Sequence, residues 1–145
     1  YVATQVMVVK PDDTSITKAD DLKDGKKVGV VLGYTGDTLV TETIQVPEEN
    51  IVRANRGIDV VQDVKNGKLD AVVMDSATGK ALADKNCLKI VEDPSVFESE
   101  EYAIAVKKGN TELLDNINKV LKEMKDSGEI AALAEKYESS AQDAE

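Results

Sequence analysis

The sequence predicts an α/β fold: a mostly parallel sheet with helices on both faces. Two observations carry this. Short apolar runs of strand length alternate along the chain with stretches whose apolar residues recur at helical spacing. Several runs are apolar at consecutive positions, the pattern of strands covered on both faces. The 145 residues suit one domain with a real core, or one domain and an appendage.

The elements follow in order. Gln5 to Lys10 (QVMVVK) reads as a strand that stops at Pro11 and the turn-forming Asp12-Asp13. Thr17 followed by Asp20 fits a capping box and predicts a short helix over Lys18 to Leu22, ended by Gly25. Lys27 to Leu32 (KVGVVL) reads as a buried parallel strand. Gly33-Tyr34-Thr35-Gly36 joins it to a helical stretch from Asp37 to Ile44, and Pro47 closes the unit. Ile51-Val52-Arg53 is the next strand. Ile58, Val60, Val61 and Val64 keep helical spacing as far as the Asn66-Gly67 stop.

Leu69 to Met74 (LDAVVM) is another buried strand, with Asp75 at its carboxyl end and Asp70 read as solvent-facing. A helix over Ser76 to Asp84 follows, then a strand over Leu88 to Val91 and a loop from Pro94 to Glu100. Tyr102 to Val106 (YAIAV) predicts a further strand. After Gly109-Asn110, Leu113, Leu114, Ile117, Val120, Leu121 and Met124 share one helical face. Past Gly128, Ile130 to Tyr137 predict a second short helix, and the polar tail Glu138 to Glu145 is expected to fray.

Composition removes whole classes of function. With 18 basic and 28 acidic residues the formal charge is −10, which repels nucleic acid and anionic lipid. There is no histidine, so Ser-His-Asp and Cys-His catalysis are excluded. The single cysteine, Cys87, forbids an internal disulfide and all but excludes a zinc site; it reads as a small half-buried apolar residue. Asp12-Asp13, Glu48-Glu49 and Glu98 to Glu101 lack EF-hand spacing and read as solvated loop charges, not metal ligands. No run approaches the ~20 apolar residues that span a membrane. There is no signal-peptide pattern, and the start at Tyr1 without Met looks like a cut inside a larger protein.

Chemistry can sit at two strand ends, since ligands of open α/β sheets bind beyond the carboxyl ends of strands. The first is Gly33-Tyr34-Thr35-Gly36. Glycines bring backbone close to a ligand, and the following helix offers unbonded N–H groups to an anion. The spacing matches neither a dinucleotide fingerprint nor a P-loop, so no cofactor is expected. A plain strand-to-helix connection is the competing reading. The second is Asp75, which can accept bonds from an ammonium group or can cap the helix beginning at Ser76. Both readings stand at this point. Together the two ends match the opposite charges of a zwitterion: carboxylate on the Thr35 and Gly36 amides, ammonium on Asp75.

Three stretches, DDLKDGKKVGVVLGYTGD, VVQDVKNGKLDAVVMDSATG and EYAIAVKKGNTELLDNINKVLKEMKDSGEIAALAEKY, resemble the family 3 extracellular solute-binding proteins in order and spacing. The resemblance implies one lobe of a type II periplasmic-binding-protein fold, plus a returning C-terminal segment. It implies residues 1–4 as incoming hinge, 5–97 as the ligand-binding second lobe and 98–102 as return hinge. Residues 103–137 would then belong with the first lobe, before the tail at 138–145. It puts the carboxylate-binding turn on Thr35 and Gly36, the strand end near the ligand on Val31 and Leu32, the ammonium acceptor on Asp75, and Tyr34 beside the side-chain pocket. The implied function is amino-acid capture for the membrane permease of an ABC importer. The implied location is the periplasm or cell surface, with a lipid anchor on the intact protein.

Most of the family's first lobe, with its carboxylate-clamping arginine and aromatic sandwich, is absent here. The chain therefore holds half a site and is expected to bind amino acids weakly or not at all, and to expose apolar faces that invite self-association. An enzyme on the same scaffold, such as a dehydratase, needs an acid or base of shifted pKa, for which only Asp75 and Tyr34 are candidates; no catalytic residue is assigned. A sensor ectodomain of a receptor is not separable by these residues. A receiver-like signalling domain lacks its acidic cluster at the first strand end.

Overall fold

A computed structural model describes residues 3–99 and 101–140. Tyr1 and Val2 of the expected incoming hinge, Glu100 of the return hinge and residues 141–145 of the tail lie outside the described residues. Ala3–Ser99 form one compact unit, and the described residues after Ser99 belong to a second.

The first unit is built on five strands: β1 (Gln5–Val9), β2 (Val28–Val31), β3 (Ile51–Ala54), β4 (Ala71–Asp75) and β5 (Lys89–Val91). They lie in the order β3-β2-β4-β1-β5. β2 pairs in parallel with β3 and with β4. β1 runs antiparallel to both β4 and β5, with Gln5 opposite Asp75 and Val9 opposite Ala71. Four strands thus point one way and β1 runs against them.

Period-two alternation sorts the apolar side chains onto two faces. On one face Met7, Val28, Val30 and Val73 pack under a short helical run, α1 (Thr35–Thr38), which continues as a π-helical turn over Leu39–Ile44. A 3-10 turn at Ala19–Lys23 covers the same face through Ala19 and Leu22. On the other face Val8, Val72 and Met74 meet Val60, Val61 and Val64 of α2 (Gly57–Lys65) and Ala83 of α3 (Ser76–Asn86). Gly29 lets α2 approach β2: a Cβ there would stand 2.9 Å from the Val60 Cβ.

Four local expectations are corrected. The 3-10 turn begins one residue later than the capping box suggested, so Asp21, not Asp20, takes the Thr17 N–H at 2.8 Å and hydroxyl at 2.9 Å. Asp70 is half-buried; it accepts the Lys27 N–H at 2.7 Å and so ties the start of β4 to β2. Cys87 is exposed, because it ends α3 in the left-handed conformation at φ 56°. Tyr102 to Val106 form no strand: inter-strand hydrogen bonds define a strand, and the segment has no partner strand among the described residues.

The second unit contains α4 (Thr111–Asp126), capped where Asn110 Oδ1 accepts the Leu113 N–H at 3.3 Å, and α5 (Glu129–Ser140). Tyr102, Ile104 and Val106 line a groove of about 550 Å³ with Leu114, Leu121 and Ile130. Among the described residues, no helix is long and apolar enough to cross a membrane.

Candidate functional site

The chain leaves β2 toward one face of the sheet and leaves β4 toward the other, since the run beginning with α1 packs on the first face and α3 on the second. β2 and β4 are neighbouring parallel strands whose connections part to opposite faces, the place where open α/β sheets take ligands. The two sequence-marked strand ends lie on either side of that point.

On the β2 side, Val31 is buried and ends the strand, while Leu32 and Tyr34 stand 56% and 68% exposed. The Leu32 N–H is held by the Ala54 carbonyl of β3 at 3.0 Å. Gly33 turns the chain at φ 75°, a conformation that costs glycine nothing. The Tyr34 carbonyl accepts the Asp37 N–H at 2.9 Å and the Thr38 N–H at 3.3 Å, which starts α1. Thr35 and Gly36 are its first two residues, whose N–H groups precede the first intrahelical bonds. Gly36 is buried against β4: a Cβ there would stand 2.6 Å from the Val73 carbonyl oxygen and 3.3 Å from Gln5 Oε1. The amide turn thus lies on the strand that ends in Asp75.

On the β4 side, Asp75 is half-buried and is the N-cap of α3. Its Oδ1 accepts the Ala77 N–H at 2.9 Å and the Thr78 N–H at 3.4 Å, which fixes the carboxylate at the end of β4. The capping alternative is therefore realised. Thr4 and Ser76 extend the β1–β4 pairing past this point, the Ser76 N–H reaching the Thr4 carbonyl at 2.8 Å.

Sequence reasoning missed two residues behind the turn. Asp37, buried, accepts the Gly33 N–H at 3.1 Å through Oδ2, and through Oδ1 the Arg53 Nε–H at 2.8 Å and the Thr41 hydroxyl at 3.3 Å. Burial pushes the Asp37 carboxyl up, but the Gly33 N–H, the Arg53 guanidinium and the Thr41 hydroxyl outweigh it and hold it below the usual carboxylate range. Arg53 also pairs with Glu48. The available signal was a charged residue in an otherwise apolar strand. No group of acidic or cysteine side chains suited to a metal ion occurs among the described residues.

Helices on both faces of the sheet, with the connections after β2 and β4 parting to opposite sides, define a doubly wound α/β lobe. The chain belongs to the bacterial extracellular solute-binding proteins, family 3, whose pattern it matches over residues 1–140. It is similar to a probable histidine-binding protein of Neisseria gonorrhoeae, 35% identical over 139 residues that cover 94% of this chain and 52% of that protein. It is also similar to the L-cystine-binding protein TcyJ of Escherichia coli (strain K12), 32% identical over 142 residues, covering 92% and 49%. Among solved structures, an ancestral arginine-binding protein bound to glutamine superposes with a TM-score of 0.77 at 40% identity, covering 94% of this chain and 60% of that one. The fold is accordingly that of one lobe of a type II periplasmic-binding protein. The chain spans about half the length of the curated relatives it matches.

Proposed function

We propose that this chain forms one wall of an amino-acid-binding site in the substrate-binding component of an ABC-type importer, outside the cytoplasm. One observation carries the reading: an amide turn and a carboxylate stand at the carboxyl ends of adjacent parallel strands. The α-carboxylate sits on the Thr35 and Gly36 amides, the α-ammonium on Asp75. Leu32 and Tyr34 offer apolar surface to the ligand side chain, and Val31 backs the turn. Relatives named for histidine, cystine and arginine support an amino acid as the ligand class.

In this reading residues 5–97 are the second lobe, 1–4 and 98–102 the hinge segments, and 103–137 a return to the first lobe. Ligand closes the lobes, and the closed form docks on a membrane permease. A lipid anchor holds the intact protein at the surface. The chain acts by binding, not by catalysis: the relatives are named for binding, and the chain has no histidine to act as a base. Taken by itself, it is expected to self-associate through exposed Leu113, Leu114, Val120 and Leu121, which sedimentation velocity over a concentration series checks.

Calorimetric titration of the chain with L-arginine, agmatine (no carboxylate) and Nα-acetyl-L-arginine (no ammonium) tests the ligand assignment. Weak binding of arginine, with both analogues weaker still, is expected. Analogues that bind as well as arginine overturn it.

A further inference from the structure

The anion-accepting turn has a carboxylate directly behind it. Asp37 is buried two residues after Thr35, and its Oδ2 holds the Gly33 N–H at 3.1 Å. A buried negative charge so close to the Thr35 and Gly36 amides opposes any second anion placed on them. Arg53, reaching across from β3, sets its Nε–H on the same carboxylate at 2.8 Å. Its other guanidinium nitrogens are held by Glu48, and by the Thr41 hydroxyl at 3.1 Å. The guanidinium is thus fixed from three sides, and its side chain is only 25% exposed.

We infer that Arg53 is a positioning residue of the binding site: without touching the ligand, it cancels the Asp37 charge and thereby lets the Gly33–Gly36 turn accept a carboxylate. Asp37 is the latch that shapes the turn, and Arg53 is what makes the latch compatible with an anionic guest. This inference rests on the binding reading above and adds to it the residue that sets the turn's electrostatics. It also explains a charged side chain in β3, where Ile51 and Ala54 face apolar layers.

The test uses the whole 145-residue chain, followed by amide-resolved NMR at constant ionic strength. Sodium acetate, L-arginine and L-argininamide are the probes. Arg53→Met is expected to weaken acetate and L-arginine roughly tenfold at the Thr35 and Gly36 amides. It is expected to leave L-argininamide, which carries no carboxylate, within about twofold. Adding Asp37→Asn to Arg53→Met is expected to restore most of the loss, because the carboxamide still accepts the Gly33 N–H and carries no charge. A purely structural role predicts a double variant no better than the single one, and that result overturns the inference. So does an Arg53→Met chain with undiminished acetate affinity. Should Arg53→Met fail to fold, Asp37→Asn alone decides: it is expected to bind acetate more tightly, and weaker binding overturns the inference. Acetate binding at Thr35 and Gly36 without L-arginine binding removes the amino-acid reading and leaves the Arg53 comparison intact. Binding of neither probe removes both.

Discussion

Gly36 lies so close to Val73 that a Cβ on the glycine would stand 2.6 Å from the Val73 carbonyl oxygen. That contact presses the amide turn after β2 onto the strand that ends in Asp75. A backbone carbonyl in a sheet interior cannot step aside. Gly36→Ala is therefore expected to lift the turn and cost about 1–3 kcal/mol of stability, with amide shifts at Tyr34, Thr35 and Asp37. Gly57 is the control. Its Cβ would meet the Met74 Cε at 2.7 Å, the mobile end of a flexible side chain. Gly57→Ala is expected to change stability by less than about 1 kcal/mol, since alanine also favours the helix. Urea denaturation of both variants checks the contrast; equal losses contradict the account.

Asp75 caps α3, and the proposed reading gives it a second, separable duty as ammonium acceptor. Asn caps a helix nearly as well as Asp but carries no charge. Asp75→Asn is expected to keep stability within about 0.5 kcal/mol and to weaken L-arginine binding. Asp75→Ala is expected to lose the cap as well, about 1 kcal/mol. Thermal melts paired with calorimetry distinguish the two. Unchanged binding by Asp75→Asn removes the ammonium role and leaves only the cap.

The acid limb of stability carries a signature of Asp37. Its carboxyl titrates below the ordinary range in the folded chain, burial notwithstanding, because the Gly33 N–H and Arg53 hold the anion. A depressed folded pKa stabilises fully above the unfolded value of about 4, and that contribution fades as pH falls through the folded value. Asp13 and Asp93 are depressed likewise: burial pushes Asp13 up but Ser15 and Ile16 outweigh it, and Ser95 and the Ala19 N–H hold Asp93 down. Asp37→Asn is expected to give a shallower loss of stability between about pH 5 and pH 2. An unchanged slope in a pH series of urea melts contradicts the pairing.

Much of the lobe is legible because buried strands such as VGVV and AVVM are apolar at consecutive positions, and because Asn66-Gly67 punctuates the chain. Strand direction is not legible in this way. QVMVV reads the same in either sense, and only its pairing with β4 and β5 sets β1 against the rest. YAIAV has strand composition, yet composition supplies no neighbouring strand, and the segment is not part of the five-stranded sheet. Cys87 misleads for a related reason: its residue type favours burial, while its left-handed backbone at the end of α3 turns it outward. At the candidate site, Gly33–Gly36 and Asp75 show as strand ends with polar or glycine residues after apolar runs. Asp37 and Arg53 do not show, because sixteen positions separate them and only the parallel pairing of β2 with β3 brings them together.

The most direct test is where an amino acid touches the chain. In an amide-resolved NMR titration with L-arginine, the account predicts that Thr35, Gly36 and Ala77 shift together with one dissociation constant, and that Asp75→Asn weakens all three. Shifts confined to the α4–α5 unit, or a response at Thr35 and Gly36 that ignores Asp75→Asn, would contradict it.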